Sequence, residues 1–180
     1  MILPAAADIV EFWRAAERHW FAKDDGFDAT LRARFEGAHH AAARGELGTW
    51  EAAPESSLAL LLLLDQAPRN IFRGSAHAFA TDPLAQGAAS RALDAGFDRR
   101  IDAKLQLFFY LPLEHAEDTG LQARSVALFE ATGIEDYVRF ARLHRDIIAR
   151  FGRFPHRNAA LGRISTLEET EFLAAGGFKD

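Results

Sequence analysis

The sequence predicts an all-α fold, seven to eight helices packed as a bundle or as a stack of helix hairpins. Three observations carry that prediction. Apolar residues recur at helical spacing along almost the whole chain. Glycine and proline fall between these stripes, where helices stop and start. No stretch alternates polar and apolar residues between turn signals, so no segment supplies a sheet.

The elements follow in order. Ile9, Phe12, Trp13, Ala16 and Trp20 form one apolar stripe, broken by Asp24-Asp25-Gly26. A second helix is expected from Asp28 to Arg44, with Asp28 as N-cap, Leu31 and Phe35 inward, and Gly45 in the left-handed stop position. Pro54 suits a first helical turn, and Leu58 to Leu64 is apolar on all sides, as a central buried helix requires. Asp82 and Pro83 read as N-cap and first helical residue of the next helix, which Gly96 closes. Ile101, Leu105, Phe108 and Phe109 define another, which Pro112 ends or kinks before Glu114 and His115. Leu121 to Thr132 is a helix stopped by Gly133. Tyr137, Phe140, Ala141, His144, Ile147, Ile148 and Phe151 make the cleanest stripe, stopped by Gly152. The last helix starts with a capping box, either Ser165 with Glu168 or Thr166 with Glu169. No strict repeat of helix pairs is present, so a repeat array is expected only in degenerate form.

The 180 residues, 49% hydrophobic, suit a single all-helical domain spanning 1–180. Zero cysteines exclude a disulfide scaffold, a thiolate metal site and a thiol nucleophile, and point to the cytoplasm. The opening Met1 to Ala7 has no basic region and meets Asp8 at once, so it does not read as a cleaved leader. The longest apolar run is too short for a membrane span. A net charge of −5 argues against nucleic acid or an anionic membrane as partner. Oligomeric state leaves no mark in the sequence. Of the 21 basic residues 18 are arginine, a bias that base composition of the genome alone can produce.

Three polar segments are candidates for chemistry. In Asp65 to Gly74 an aspartate follows the all-apolar helix, where the negative end of the helix dipole disfavours it unless Arg69 or Arg73 offsets it. From Arg150 to Arg163 the chain carries four arginines and no acid. Pro112 to Asp118 supplies Glu114, His115, Glu117 and Asp118. Arginine's planar fork matches a carboxylate or phosphate, so these segments read either as structural ion pairs or as an anion pocket. The pocket reading gathers Asp65, Arg69, Arg73, His115, Glu117, Arg153, His156 and Arg157 on one side of the molecule. Within it His115, His156 and Glu117 are the candidate catalytic groups, since an imidazole beside a carboxylate is suited to proton transfer near neutrality.

Neither a metal nor a cofactor is expected. No His-Glu-x-x-His or paired Glu-x-x-His spacing occurs, and Glu114 with Glu117 is the best pair one helix face offers. Phosphate-binding loops, dinucleotide turns and the nucleophile elbow are missing. His144, on an inward stripe, reads as a hydrogen-bonded core residue, and His39-His40 as solvated surface. Ser75, Thr81 and Ser165 have ordinary turn or capping explanations.

Three stretches together are distinctive: Leu-Leu-Leu-Asp65-Gln66-x-Pro68-Arg69-Asn70-Ile71-Phe72-Arg73-Gly74, then Phe109-Tyr110-Leu111-Pro112-Leu113-x-His115-x-Glu117, then Arg153-Phe154-Pro155-His156-Arg157-Asn158-x-x-Leu161-Gly162-Arg163. They resemble an uncharacterised bacterial family, a domain of unknown function. The resemblance implies a tetratricopeptide-like all-helical fold and carries no activity, ligand or catalytic residue with it. The residues themselves favour a binding protein for a small anionic metabolite or a peptide carboxylate. The alternatives are a metal-independent hydrolase or transferase on a phosphorylated or carboxylated substrate, and a helical protein-interaction scaffold.

Overall fold

The computed structural model describes residues 3–178, and among them every regular element is helical. Met1 and Ile2, the start of the opening segment, and Lys179 and Asp180 lie outside the described residues. The chain divides into two compact units, one ending at residue 73 and resuming over 77–112, the other made of 74–76 and the chain from 113 onward.

The first unit holds α1 (Ala6–Ala15), α2 (Asp25–Ala43), α3 (Pro54–Leu61), α4 (Ala67–Ile71) and α5 (Asp82–Asp94). Helix α1 packs on α3, α2 on α4, and α3 on α5. Leu31, Phe35, Leu58, Leu61, Leu62 and Leu63 fill its centre, all essentially without solvent contact. Each such side chain contributes about 1.5–3 kcal/mol by leaving water. Phe108 meets the rings of Trp13 and Trp20 edge-on, at 5.6 and 4.9 Å between centroids. The Trp20 indole N–H donates to the Trp13 carbonyl at 2.7 Å, so the buried ring keeps a polar partner.

Three boundaries differ from the sequence reading. Helix α2 begins earlier, because Asp24 and not Asp28 is its N-cap, accepting from the Gly26 and Phe27 amides at 2.9 and 3.0 Å. Asp28 lies in the first turn, and its carboxylate accepts from Arg73. Asp82 is the first residue of α5, not its cap. Finally, α3 does not end at Asp65: a π-helical turn, Leu62–Gln66, joins it to α4. Asp65 is therefore inside a continuous helical run.

Helix α6 (Leu107–Glu114) contains Pro112 and the division between the units. Proline costs one ladder bond, yet its own φ is helical, so the helix finishes its last turn and the chain leaves it after Glu114. Ile101, expected in this helix, precedes it outside any regular helix. The second unit continues with α7 (Thr119–Thr132), α8 (Glu135–Phe151) and α9 (Leu167–Ala174). Helix α7 pairs with α8, and both end on a left-handed glycine, Gly133 at φ 68° and Gly152 at φ 69°. Ile147, Ile148 and Phe154 form the apolar cluster, with Phe151 and Phe172 against it. Of the two capping boxes the sequence allows for α9, Thr166 with Glu169 forms.

Candidate binding site

Four successive carbonyls of the π turn are each met by a side chain. His39 Nδ1 donates to Leu63 O at 2.8 Å, Thr81 Oγ1 to Leu64 O at 2.6 Å, Arg69 to Asp65 O at 2.9 Å, and Asn70 Nδ2 to Gln66 O at 3.0 Å. The wider turn shifts the helical ladder out of register, and buried carbonyls left over must find donors. Arg69 also grips both oxygens of Asp82, at 2.8 and 3.1 Å, and lies 3.3 Å from Asp65. Asp65, Arg69 and Arg73 are thus brought close in the first unit, Arg73 through Asn70 at 3.0 Å and through Asp28. Their guanidinium groups are matched by carboxylates of the same unit.

The second unit brings together the other predicted residues. Glu117 accepts from Arg163 and from the Phe154 amide, at 2.8 and 2.9 Å. Burial works to raise its carboxyl, but Arg163, the Phe154 N–H and Arg157 outweigh that and hold it below the usual range. Arg153 forks onto Glu169 at 2.6 and 2.8 Å, and Arg150 pairs with Glu168. Arg157, 3% exposed, donates to the His115 carbonyl at 3.2 Å and lies over the Phe154 ring. His156 packs against Phe154. His144 is buried, donating to Phe140 O and facing Glu114 at 3.1 Å, in keeping with a core histidine. The charges here largely neutralise one another within the unit.

Sequence reasoning missed a different place. A cavity of about 390 Å³ in the first unit is walled by Phe12, Ala15, Ala16 and Phe27 and edged by Arg18, His19, Asp24 and Thr30. Its polar edge is a chain of three groups. His19 Nδ1 lies 3.0 Å from Asp24 Oδ2, and Arg18 Nε donates to His19 Nε2 at 2.8 Å. An arginine only donates, so Nε2 is bare and the ring proton is on Nδ1, facing the carboxylate. The Phe27 amide foremost, with the Gly26 amide and the His19 imidazole adding against burial, holds the Asp24 carboxyl below its usual value. Among the described residues the terminal nitrogens of Arg18 meet no acceptor. His19 stacks on Phe27 at 5.1 Å, and the Arg34 guanidinium lies 4.6 Å from the Phe12 ring centroid. A sequence signal did exist: Arg18-His19 five residues ahead of an aspartate N-cap, on a stripe ending at Trp20.

The chain matches the family described as bacterial protein of unknown function, DUF924, over residues 9–177. It belongs to that family. A solved structure of a protein of unknown function from Agrobacterium tumefaciens is similar to this DUF924 chain, with 52% sequence identity and a TM-score of 0.91, covering 95% of this chain and 97% of that one. Among curated proteins, none matches the chain. The bacterial family and the all-helical fold agree with the resemblance read in the three motifs. No helix among the described residues is long and apolar enough to cross a membrane.

Two histidines also depart from their expected place. His39 is fully buried and not solvated, because α2 turns it onto the π turn; His40 beside it is half-buried. Burial pushes the His39 imidazole below its ordinary pKa, more than the Leu63 carbonyl raises it.

Proposed function

We propose that the chain is a binding protein for a small organic anion, held in the cavity edged by Arg18 and His19. The observation that carries this reading is the contrast between arginines. Those of the predicted segments are spent on carboxylates or carbonyls within their own unit, whereas Arg18 is pinned by one nitrogen and offers its terminal nitrogens. Arginine's fork suits a carboxylate or phosphate. An exposed ion pair alone adds only about 0–1 kcal/mol, so the ligand must also cover Phe12 and Phe27. The class is therefore a carboxylate or phosphate on an apolar body, a hydrophobic peptide C-terminus included.

Binding is favoured over catalysis at this edge for one reason. A general base needs a free imidazole lone pair, and Arg18 Nε occupies that of His19. The experiment is a thermal-shift screen of inorganic phosphate, phenyl phosphate, aryl carboxylates and short peptides on wild type and Arg18→Met. A ligand of the native state raises the melting temperature of wild type and not of the variant. No shift with any of them, or an equal shift in both proteins, contradicts the proposal.

A second reading keeps the anion site among His115, Glu117, Arg153, His156 and Arg157. It rests on the convergence of charge in the second unit, where Arg157 and Arg163 both act on Glu117 and Arg157 donates to the His115 carbonyl. Binding that Arg157→Met abolishes and Arg18→Met leaves intact would favour it. Turnover of phosphoesters or amides that His115→Ala or His156→Ala removes, with affinity kept, would make this second site an enzyme's.

A further inference from the structure

Three imidazoles meet in the first unit, at a distance from each other that no sequence spacing reveals. His39 and His40 are neighbours on α2, and His77 comes from the short 3-10 turn Ala76–Phe79, 37 and 38 residues further on. One ring nitrogen of each lies within 4.8 Å of the other two. The His39 and His77 Nε2 atoms are 3.3 Å apart. We propose that His39, His40 and His77 form a binding site for a divalent transition metal, zinc being the ion that fits best.

Geometry supports this at three levels. A tetrahedral zinc site with metal–nitrogen bonds of about 2.0–2.1 Å has nitrogen–nitrogen edges of about 3.3–3.4 Å, so the His39–His77 pair already stands at that separation. The ligand lone pair is prepared as well. Leu63 O can only accept, so His39 carries its proton on Nδ1 and presents a bare Nε2 to the cluster. A ligating histidine anchored by its other ring nitrogen on a backbone carbonyl is the usual outer-shell arrangement. The anchor here is a carbonyl of the π turn, so the site is tied to the central helix.

The surroundings complete the picture. The Phe72 ring stacks on His77 at 3.9 Å and touches His39 and His40, giving the cluster an apolar wall. Glu36 lies one turn before His40, 3.9 Å from its Nε2, and is shared with Arg32. Direct hydrogen bonding between His39 and His77 accounts for those two rings and not for the third. Three neutral nitrogens with no thiolate select zinc, cobalt, nickel or copper over magnesium or calcium. His77 is on the surface and His40 half-buried, so the fourth position opens to solvent.

The test is titration of the whole chain with zinc chloride by calorimetry and with cobalt chloride by visible absorption. Wild type is expected to bind one ion per chain and to give the intense cobalt bands of a four-coordinate nitrogen site. His77→Ala and His40→Ala, both outside the core, should keep the helical circular dichroism and lose at least about tenfold in affinity. Arg18→Met should bind zinc as wild type does, which separates this site from the anion cavity. No stoichiometric binding by wild type, or affinity unchanged in both histidine variants, overturns the proposal.

Discussion

Thr81 donates its hydroxyl to the carbonyl of Leu64 across 2.6 Å, spanning from the start of α5 to the middle of the π turn. That bond explains why Thr81, though it precedes α5, caps nothing with its side chain. Thr81→Val keeps the shape and strands a buried carbonyl. It should cost about 1–3 kcal/mol in urea unfolding, with Thr81→Ser near wild type.

Glu169 accepts from Arg153, Asn158 and the Thr166 amide in the second unit. Arg153 foremost, then the Thr166 amide and Asn158, pull its pKa to about 2 from an ordinary value near 4.5, against burial. A lowered folded-state pKa means that the stabilisation is complete above about 4.5 and fades as pH falls toward about 2. The melting temperature of wild type should therefore drop across that window. Glu169→Gln should start lower at neutral pH and drop less over the same range.

Phe108 meets two of the tryptophans of the first unit, its ring perpendicular to Trp20 at 90° and nearly so to Trp13 at 86°. Phe108→Ala should destabilise by about 3–5 kcal/mol through the lost burial and the space left behind. Tryptophan fluorescence should change with it, because both indoles lose an edge contact.

The fold was legible because its signals are local. Apolar stripes, Gly45, Gly133 and Gly152 as helix ends, and Thr166 with Glu169 all act within a few residues. The errors came where a side chain answers to a distant partner. Asp28 has a capping residue's chemistry, but Asp24 lies at the N-terminus of α2 and Arg73 claims Asp28 from 45 positions away. His39 looked solvated because the carbonyl that binds it exists only once the π turn forms, 24 residues later. For the same reason only some partners of the arginine-rich segments were legible: Asp65 pairs with Arg69 as its place in the sequence suggests, but Asp82 for Arg69 and Glu169 for Arg153 are set by packing and not by spacing.

The most direct test of the anion-binding account is the dissociation constant of one apolar carboxylate, chosen from the thermal-shift screen, measured by calorimetry on wild type, Arg18→Met and Arg157→Met. The Arg18–His19–Asp24 edge predicts a loss of about tenfold or more in Arg18→Met, the effect of one charge-assisted bidentate contact, and wild-type affinity in Arg157→Met. Wild-type affinity in Arg18→Met would contradict it.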